Sequence, residues 1–576
     1  MPTNMRMAEL AQFVREPKIA YFSMEIGLLN DMPTYSGGLG VLAGDTIRSA
    51  ADLKLPMVAV TLVHRMGYFK QELEPDGTQG ERSAPWDPER FTTLMPGRVA
   101  VQIEGRQVLV QAWMYVQESI TGGKVPIFFL DTDMPENSPE DRQITHYLYG
   151  GDQRYRLVQE AVLGIGGVRM LRELDFQIRK YHMNEGHASL LTVELLREYK
   201  RDIEEVWDED LVWDVNRIRE LCVFTTHTPV AAGHDQFPYG LIQKVLPDIL
   251  PLHILKRLGG QEKLNMTLLG LNLCEYVNGV AKKHRDVSRT MFPGYEIFSV
   301  TNGVHSYTWT ADPLKRLFDR YLPSWANEPE LFVRVGRIPD DELWAAHMEC
   351  KRKLIDMVNA ATGEDLDSET LTVGFARRAT AYKRAHLLFW DVERLARIAG
   401  GKVQFIFAGK AHPKDIPGKE TIKQVFESAE ELEGRVKVVY LPGYDMRLAL
   451  ELVSGVDVWL NTPLRPHEAS GTSGMKAAHN GVLNFSVLDG WWIEGHIEGY
   501  TGWSIGPAPT ETTLGASSDK DDADDLYEKL EKLIIPTYYD ERCTWIRMMQ
   551  NAIGKNAYYF NSHRMMRRYV TEAYIR

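Results

Sequence analysis

KIAYFSMEIGLLNDMPTYSGGLGVLAGDTIRSAADLKLPMVAVTLV, residues 18–63, holds the fold in miniature. The short apolar runs KIAYFSMEI and PMVAVTLV flank the longer amphipathic VLAGDTIRSAADL, the order of strand, helix and strand in a parallel α/β sheet. The second half repeats this grammar. LTVGFA, VQFIFAG, VKVVYL, VDVWLN and VLNFSV read as buried strands, and RAHLLFWDVERLARIA between them reads as a helix with Leu388, Val392 and Leu395 on one face. No internal repeat or low-complexity tract interrupts the pattern. DPLKRLFDRYLPSWANEPE, within 310–370, breaks the strand rhythm with prolines and charges, and the domain junction is placed near 310. The expected fold class is α/β: two doubly wound, Rossmann-like domains facing a cleft lined by loops from the carboxyl ends of their strands.

The chain of 576 residues, 44% hydrophobic and 25% charged, is long enough to bury more than one core. Its net charge, 66 − 79 = −13, argues against a general affinity for nucleic acid and favours a neutral or small substrate. MPTNMRMAELAQFVREPK lacks the apolar core of a signal peptide and no run is long enough to span a bilayer, so a soluble, cytoplasmic protein without a membrane partner is expected. Cys222, Cys274, Cys350 and Cys543 lie far apart and are read as buried thiols rather than a zinc site or disulfide framework.

Three loops have the chemistry of anion sites. In YSGGLGVLAGD, Gly37, Gly38 and Gly40 run into a helix, where unpaired N–H groups can meet a phosphate, although a plain tight turn reads equally well. In GFARRATAYKRAHLLF, Arg377, Arg378, Lys383 and Arg384 gather after a strand at a helix start, where the macrodipole disfavours cations; a solvated basic patch is the usual reading of such a run, but in a chain of net −13 a bound dianion is favoured. In HEASGTSGMKAAHNG, residues 467–481, the small residues Ser470 to Gly474 lie between a strand end and a helix from Met475, with Lys476 in its first turn. A lysine beside a phosphate cradle is either a counterion or a covalent anchor of the kind that holds pyridoxal phosphate. Spacing alone does not choose between them.

The chain resembles the α-glucan phosphorylases, the glycogen, starch and maltodextrin phosphorylase family. EASGTSGMK is similar to the family's pyridoxal-phosphate lysine signature. GGLG at 37–40, HRMGYFKQELEPDG at 64–77, THTP at 226–229, TNG at 301–303, RATAYKR at 378–384, FAGKAHP at 407–413 and LPGYDMRLA at 441–449 resemble its other segments in the same order. The resemblance covers most of the chain and implies the B-type glycosyltransferase fold, with an N-terminal domain over 1–310, a C-terminal domain carrying the cofactor over 311–550, and a helix over 551–576 returning to the first.

It further implies pyridoxal 5'-phosphate bound at Lys476, with Thr472, Ser473 and Arg377 near the cofactor phosphate and Tyr444 near its ring. Arg378, Lys383 and the backbone of Gly38 match the positions that hold the substrate phosphate. His227, Asn302, Glu468, Ser470 and Gly471 match those around the transferred glucosyl unit. The implied reaction is phosphorolysis of an α-1,4-glucan by inorganic phosphate, releasing glucose 1-phosphate with retained configuration, with the cofactor phosphate as acid/base partner. The sequence departs from the family at Ser36 and Gly474, each in place of an asparagine, at Thr380 and Ala381, in place of histidine and glutamate, and at WWIEG after LDG. It looks like the shorter bacterial and archaeal branch, so acceptor preference and regulation by effectors or phosphorylation are not carried over, and a homo-oligomer stays open as a partner.

Two rival readings are a nucleotide-sugar glucosyltransferase of the same fold, against which Lys476 in its cradle argues, and a non-catalytic glucan-binding protein, against which Arg378, Lys383 and Lys476 together argue. Glu185 and His187 of NEGH are read as a hydrogen-bonded cleft pair rather than a metal site, for want of a third ligand, and no metal is expected. HPKD and HRDVS are read as exposed loops.

Overall fold

A computed structural model describes residues 10–508 and 517–575. Its two large sheets have the same winding. In the 9-stranded sheet the order is Phe298–Ser299, Tyr276–Gly279, Cys222–Thr225, Ile178–Asn184, Lys18–Ser23, Met57–Leu62, Lys124–Asp131, Arg106–Glu118, Thr93–Ile103. All neighbours are parallel except the last two strands, which add antiparallel at the edge. The 6-stranded sheet is wholly parallel: Val438–Leu441, Val403–Ala408, Leu371–Ala376, Val458–Asn461, Leu483–Val487, Gly502–Ile505. In each, the first strand lies between the second and the fourth parallel strand, so the direction of winding reverses beside it and opens a crevice at the carboxyl ends.

Side-chain alternation builds a core on both faces. Phe22, Val60 and Phe128 point to one face of the first sheet, and their neighbours Tyr21, Ala59 and Phe129 point to the other. That second face is covered by helix α1, Gly38–Asp52, and by Met565, Met566, Tyr569 and Tyr574 from the end of the chain. The second sheet has its own pair of cores, one of them completed by Trp545, Met549 and Ile553. A fifth cluster, with Val41, Val304, Trp309, Met475, Trp491 and Phe560, joins the two halves.

The chain passes between the halves twice, and the passages touch: Val304 pairs with Asn561, Val304 N–H donates to the Phe560 carbonyl at 3.1 Å, and Ser562 N–H donates to the Val304 carbonyl at 2.8 Å. Gly303 permits the approach, since a Cβ there would stand 2.2 Å from the Asn561 carbonyl oxygen. A hairpin of Lys70–Leu73 and Gln79–Arg82 also reaches across. Gln71 donates to the Gly409 carbonyl at 2.8 Å and accepts from Gly443 N–H at 2.9 Å, while Gln79 exchanges bonds with Ala411.

The structure corrects four readings of the sequence. HRDVS is not an exposed loop but part of the helix Lys282–Met291, with His284 buried and its Nδ1 accepting from Val280 N–H. RAHLLFWDVERLARIA is not one helix: 3₁₀ turns Ala381–Lys383 and Ala385–Phe389 meet at Arg384, left-handed at φ 47°, and the α-helix Val392–Ala399 starts only after its Asp391 cap. The basic cluster therefore ends a strand without opening an α-helix. Of the thiols, Cys543 is exposed and the other three are buried. Among the described residues no helix is long and apolar enough to cross a membrane.

Candidate active site

The four cations after the strand Leu371–Ala376 meet three different fates. Arg384 turns away and spends its guanidinium on Asp519 and Asp522, both at 2.7 Å. Arg377 and Lys383 converge on one oxygen, Glu468 Oε2, each at 2.5 Å. Arg378 is exposed and has no ion-pair partner among the described residues; its charge acts on the hydroxyls of Tyr68 and Tyr149 in the opposite half, which places it at the cleft.

Glu468 lies in the loop after Val458–Asn461, the strand across the switch point, so topology brings together groups 91 and 85 residues apart. Its N–H donates to Asp489 Oδ2 at 2.9 Å. Burial alone would raise the Glu468 pKa, but the charges of Lys383 and Arg377 hold it down at about 2. Lys383 is brought down to about 7, by burial first and by the Arg377 charge second, against the pull of Glu468. Burial raises Asp489 to about 7. Arg377 keeps Nε and Nη1 buried without a partner, an unmet demand for acceptors in a donor-only group.

The next turn carries Ser470 to Ser473 into helix α2, Ser473–His479. Gly471 is left-handed at φ 71°, and the Ser470 carbonyl accepts from Trp491 N–H at 2.8 Å, which pins the loop to the neighbouring strand's end. Ser473 Oγ accepts from the Trp459 indole at 3.0 Å, and the Thr472 carbonyl accepts from Lys476 N–H at 3.2 Å. Gly474 follows from packing: a Cβ would meet Asn484 Oδ1 at 2.3 Å and the Trp491 ring at 2.8 Å, so the family's asparagine does not fit here.

Lys476 Nζ is buried 3.7 Å from the Trp309 ring centroid, with no carboxylate in ion-pair range among the described residues. Burial brings its pKa down to about 8. Trp309 is itself held by Asp45 of α1, which accepts from its indole N–H at 2.8 Å. Tyr444 is half-buried just before Asp445, the cap of the helix Met446–Gly455.

On the first sheet the switch-point strands end at Ser23 and Asn184. Glu25 follows the first and takes Ser36 N–H at 2.6 Å, Gly37 N–H at 3.3 Å and the Tyr149 hydroxyl at 2.9 Å. Ser36 adds its hydroxyl to the same carboxylate, which gives this departure from asparagine a partner. Gly38 then starts α1, and a Cβ on it would meet nothing within 4 Å, so its backbone borders open space.

Glu185 follows the second strand at φ 76°, ψ 167°, a conformation that costs a non-glycine residue about 1–3 kcal/mol. Its carboxylate gathers Gly186 N–H at 3.0 Å, His227 N–H at 2.7 Å and Thr228 Oγ at 2.9 Å. His227, lowered to about 4 by burial, is neutral and donates Nε2–H to Asn184 Oδ1 at 2.6 Å. His187 instead faces Arg156 at 2.9 Å and Asp235 at 3.3 Å, so Glu185 and His187 have separate partners. Asn302 is buried with Oδ1 unpartnered, its carbonyl taking Arg564 at 2.9 Å.

Apart from Arg378 and Tyr444, the sequence-predicted residues thus fall into three groups. Arg377, Lys383 and Glu468 are in direct contact. Thr472, Ser473 and Lys476 are consecutive parts of one turn, with Ser470 and Gly471 just before it. Gly38, His227 and Asn302 belong to the opposite half. Glu25, Asp45, Trp309 and Asp489 were missed; only Glu25, an acid at the end of an apolar run, left a trace in the sequence.

Two doubly wound sheets facing each other at their switch points define the B-type glycosyltransferase architecture. A family model described as carbohydrate phosphorylase matches residues 251–499. The chain is 41% identical to the maltodextrin phosphorylase of Thermococcus litoralis, over 97% of its own length and 70% of that protein's. It is 37% identical to the glycogen phosphorylase of Aquifex aeolicus, over 96% and 86%. An uncharacterized protein of Methanocaldococcus jannaschii matches at 32% over 96% of this chain and 99% of its own. The chain belongs to the carbohydrate phosphorylase family, and is by that membership a glycosyltransferase.

Proposed function

We propose that this protein is an α-glucan phosphorylase: inorganic phosphate cleaves the terminal α-1,4-linked glucose of a glycogen, starch or maltodextrin chain and releases glucose 1-phosphate with retention. The observation that carries the reading is the charge imbalance at the second switch point, where the buried Arg377 and Lys383 share the single carboxylate of Glu468 and the exposed Arg378 nearby has no ion-pair partner among the described residues. Buried surplus positive charge calls for an anion, and a dianion suits guanidinium and ammonium together.

The same site fits pyridoxal phosphate. Among the described residues, Lys476 is a buried amine without a carboxylate partner, four residues from Thr472, and Arg377 Nε and Nη1 are unpartnered. Lys476 would hold the cofactor, with Arg377, Thr472 and Ser473 on its phosphate and Tyr444 beside its ring. When bound, the cofactor supplies a phosphate that serves as acid/base partner to the substrate phosphate. Arg378, Lys383 and Gly38 N–H bind the attacking phosphate, and Lys383, near pKa 7, is suited to pass a proton at Nζ. His227, Asn302, Ser470, Gly471 and Glu468 orient the glucosyl unit, and Glu468 leaves its two cations as the anions arrive.

We divide the chain into an N-terminal unit over 1–310, a C-terminal unit over 311–550 and a returning segment over 551–576. The boundary near 310 is supported by cores that change hands between Val300 and Ala311, whereas the return to the first core comes between Ala557 and Met565, later than 551. The deciding experiment is a phosphate-dependent glucose 1-phosphate assay across maltooligosaccharides and glycogen, with a visible spectrum of the purified protein. No phosphate-dependent release from any glucan would overturn the reading.

A further inference from the structure

The far end of α1 holds a cluster that the phosphorolysis reading does not use. Asp52, the last residue of α1, presents Oδ2 to two imidazoles: His305 Nε2 at 2.7 Å and His563 Nε2 at 2.7 Å. The three side chains come from three parts of the molecule. His305 belongs to the first passage between the halves, and His563 to the C-terminal helix α3, Ser562–Tyr569, just past the second. The ligand atoms lie within 4.8 Å of one another, and the side chains are only 6%, 7% and 2% exposed.

We propose that Asp52, His305 and His563 form a binding site for one divalent d-block cation, zinc by preference, that bolts both chain passages to the end of α1. Two neutral imidazoles and a carboxylate are the donor set such ions favour, with one position left for water. Tetrahedral zinc with bonds of about 2.0–2.1 Å sets its ligand atoms about 3.3 Å apart, so the present 2.7 Å contacts need open by only about 0.6 Å.

The surroundings are arranged for it. Ser119 Oγ donates to Asp52 Oδ1 at 2.5 Å, which orients the carboxylate and leaves Oδ2 for the ion. His305 Nδ1 accepts from Thr308 N–H at 3.3 Å and lies 2.6 Å from the Thr308 hydroxyl, and His563 Nδ1 has no partner among the described residues that would tie the other proton to Nε2. The His563 ring can therefore carry its proton on Nδ1 and offer Nε2 to a cation, and the His305 ring can do the same by exchanging its Thr308 N–H contact for donation to the Thr308 hydroxyl. The alternative is a clasp held by N–H···O bonds alone.

The test uses full-length, tag-free protein with Cys543→Ser, which removes the one exposed thiol among the described residues. Chelator-treated protein should take up one zinc per chain and melt several degrees higher with zinc than without. Asp52→Asn and His563→Gln should each lose at least about 10²-fold in zinc affinity. Wild-type protein also gives a direct answer should those variants not fold: the zinc X-ray absorption fine structure should show two imidazoles. No stoichiometric uptake, uptake unchanged in both variants, or a zinc spectrum without two imidazoles would each overturn the proposal in favour of the plain clasp.

Discussion

Lys383 and Glu468 meet at 2.5 Å, from the ends of two strands that flank the switch point, and Glu468 offers Lys383 the same oxygen it gives Arg377. A carboxylate in that position imitates one oxygen of a phosphate. Lys383→Ala should lower phosphorolysis by roughly 10²-fold or more, as loss of one transition-state donor does, with cofactor content unchanged. A near-normal rate would move the phosphate site elsewhere.

Arg378 separates function from folding more cleanly, because it is exposed and has no ion-pair partner among the described residues. Arg378→Ala should cut turnover by a similar roughly 10²-fold while its melting temperature stays that of the wild type. Activity and stability falling together would instead mark the residue as structural.

Lys476→Ala should leave no covalently retained cofactor, read as loss of the visible band from purified protein. An amine brought down to about 8 by burial is partly neutral near physiological pH, the form that attacks an aldehyde. A variant that keeps the band would assign the anchor to another lysine.

The same shift has a linkage consequence in cofactor-free protein. Between about 8 and the ordinary lysine value of 10.5 the unfolded chain binds the Lys476 proton and the folded chain does not, so stability rises with pH there. Below about 8 both states carry the proton and the burial penalty is complete, on the order of 3 kcal/mol. Lys476→Met should therefore be more stable than the cofactor-free wild type at pH 7, with the gap closing by about pH 10.5. Denaturant melts across that range check it, and a gap independent of pH would contradict it.

Gly474→Asn, which installs the residue usual in the family, should destabilise by about 1–3 kcal/mol, because its Cβ collides with Asn484 and Trp491. Thermal melts measure this directly. An unchanged melting temperature would mean that the Trp491 ring yields at no cost.

Much of the fold was legible because its parallel strands are buried on both faces, so LTVGFA or VDVWLN announce themselves as apolar runs. The antiparallel strands Thr93–Ile103 and Arg106–Glu118 were not read, since they mix exposed and buried positions. RAHLLFW looked helical because its periodicity is right; what breaks it is Arg384, turned left-handed to reach Asp519 and Asp522 more than a hundred residues away. Motifs gave the lysine and the basic cluster, but the contact of Glu468 with Arg377 and Lys383 belongs to strand order, which spacing along the chain does not encode. Asp52, His305 and His563 share no motif at all.

The return of Met565 to Tyr574 onto the first sheet also bears on how the chain matures on the ribosome. The first half emerges early, yet the patch on α1 and its strands that these residues cover stays bare until Met565 to Tyr574 have been made. At 5–20 residues per second, the stretch from Val304 to Met565 keeps it bare for on the order of 10–50 s. This face is thus closed only by residues made after the whole second half, and a nascent chain stalled anywhere in that half presents an unfinished apolar face to chaperones.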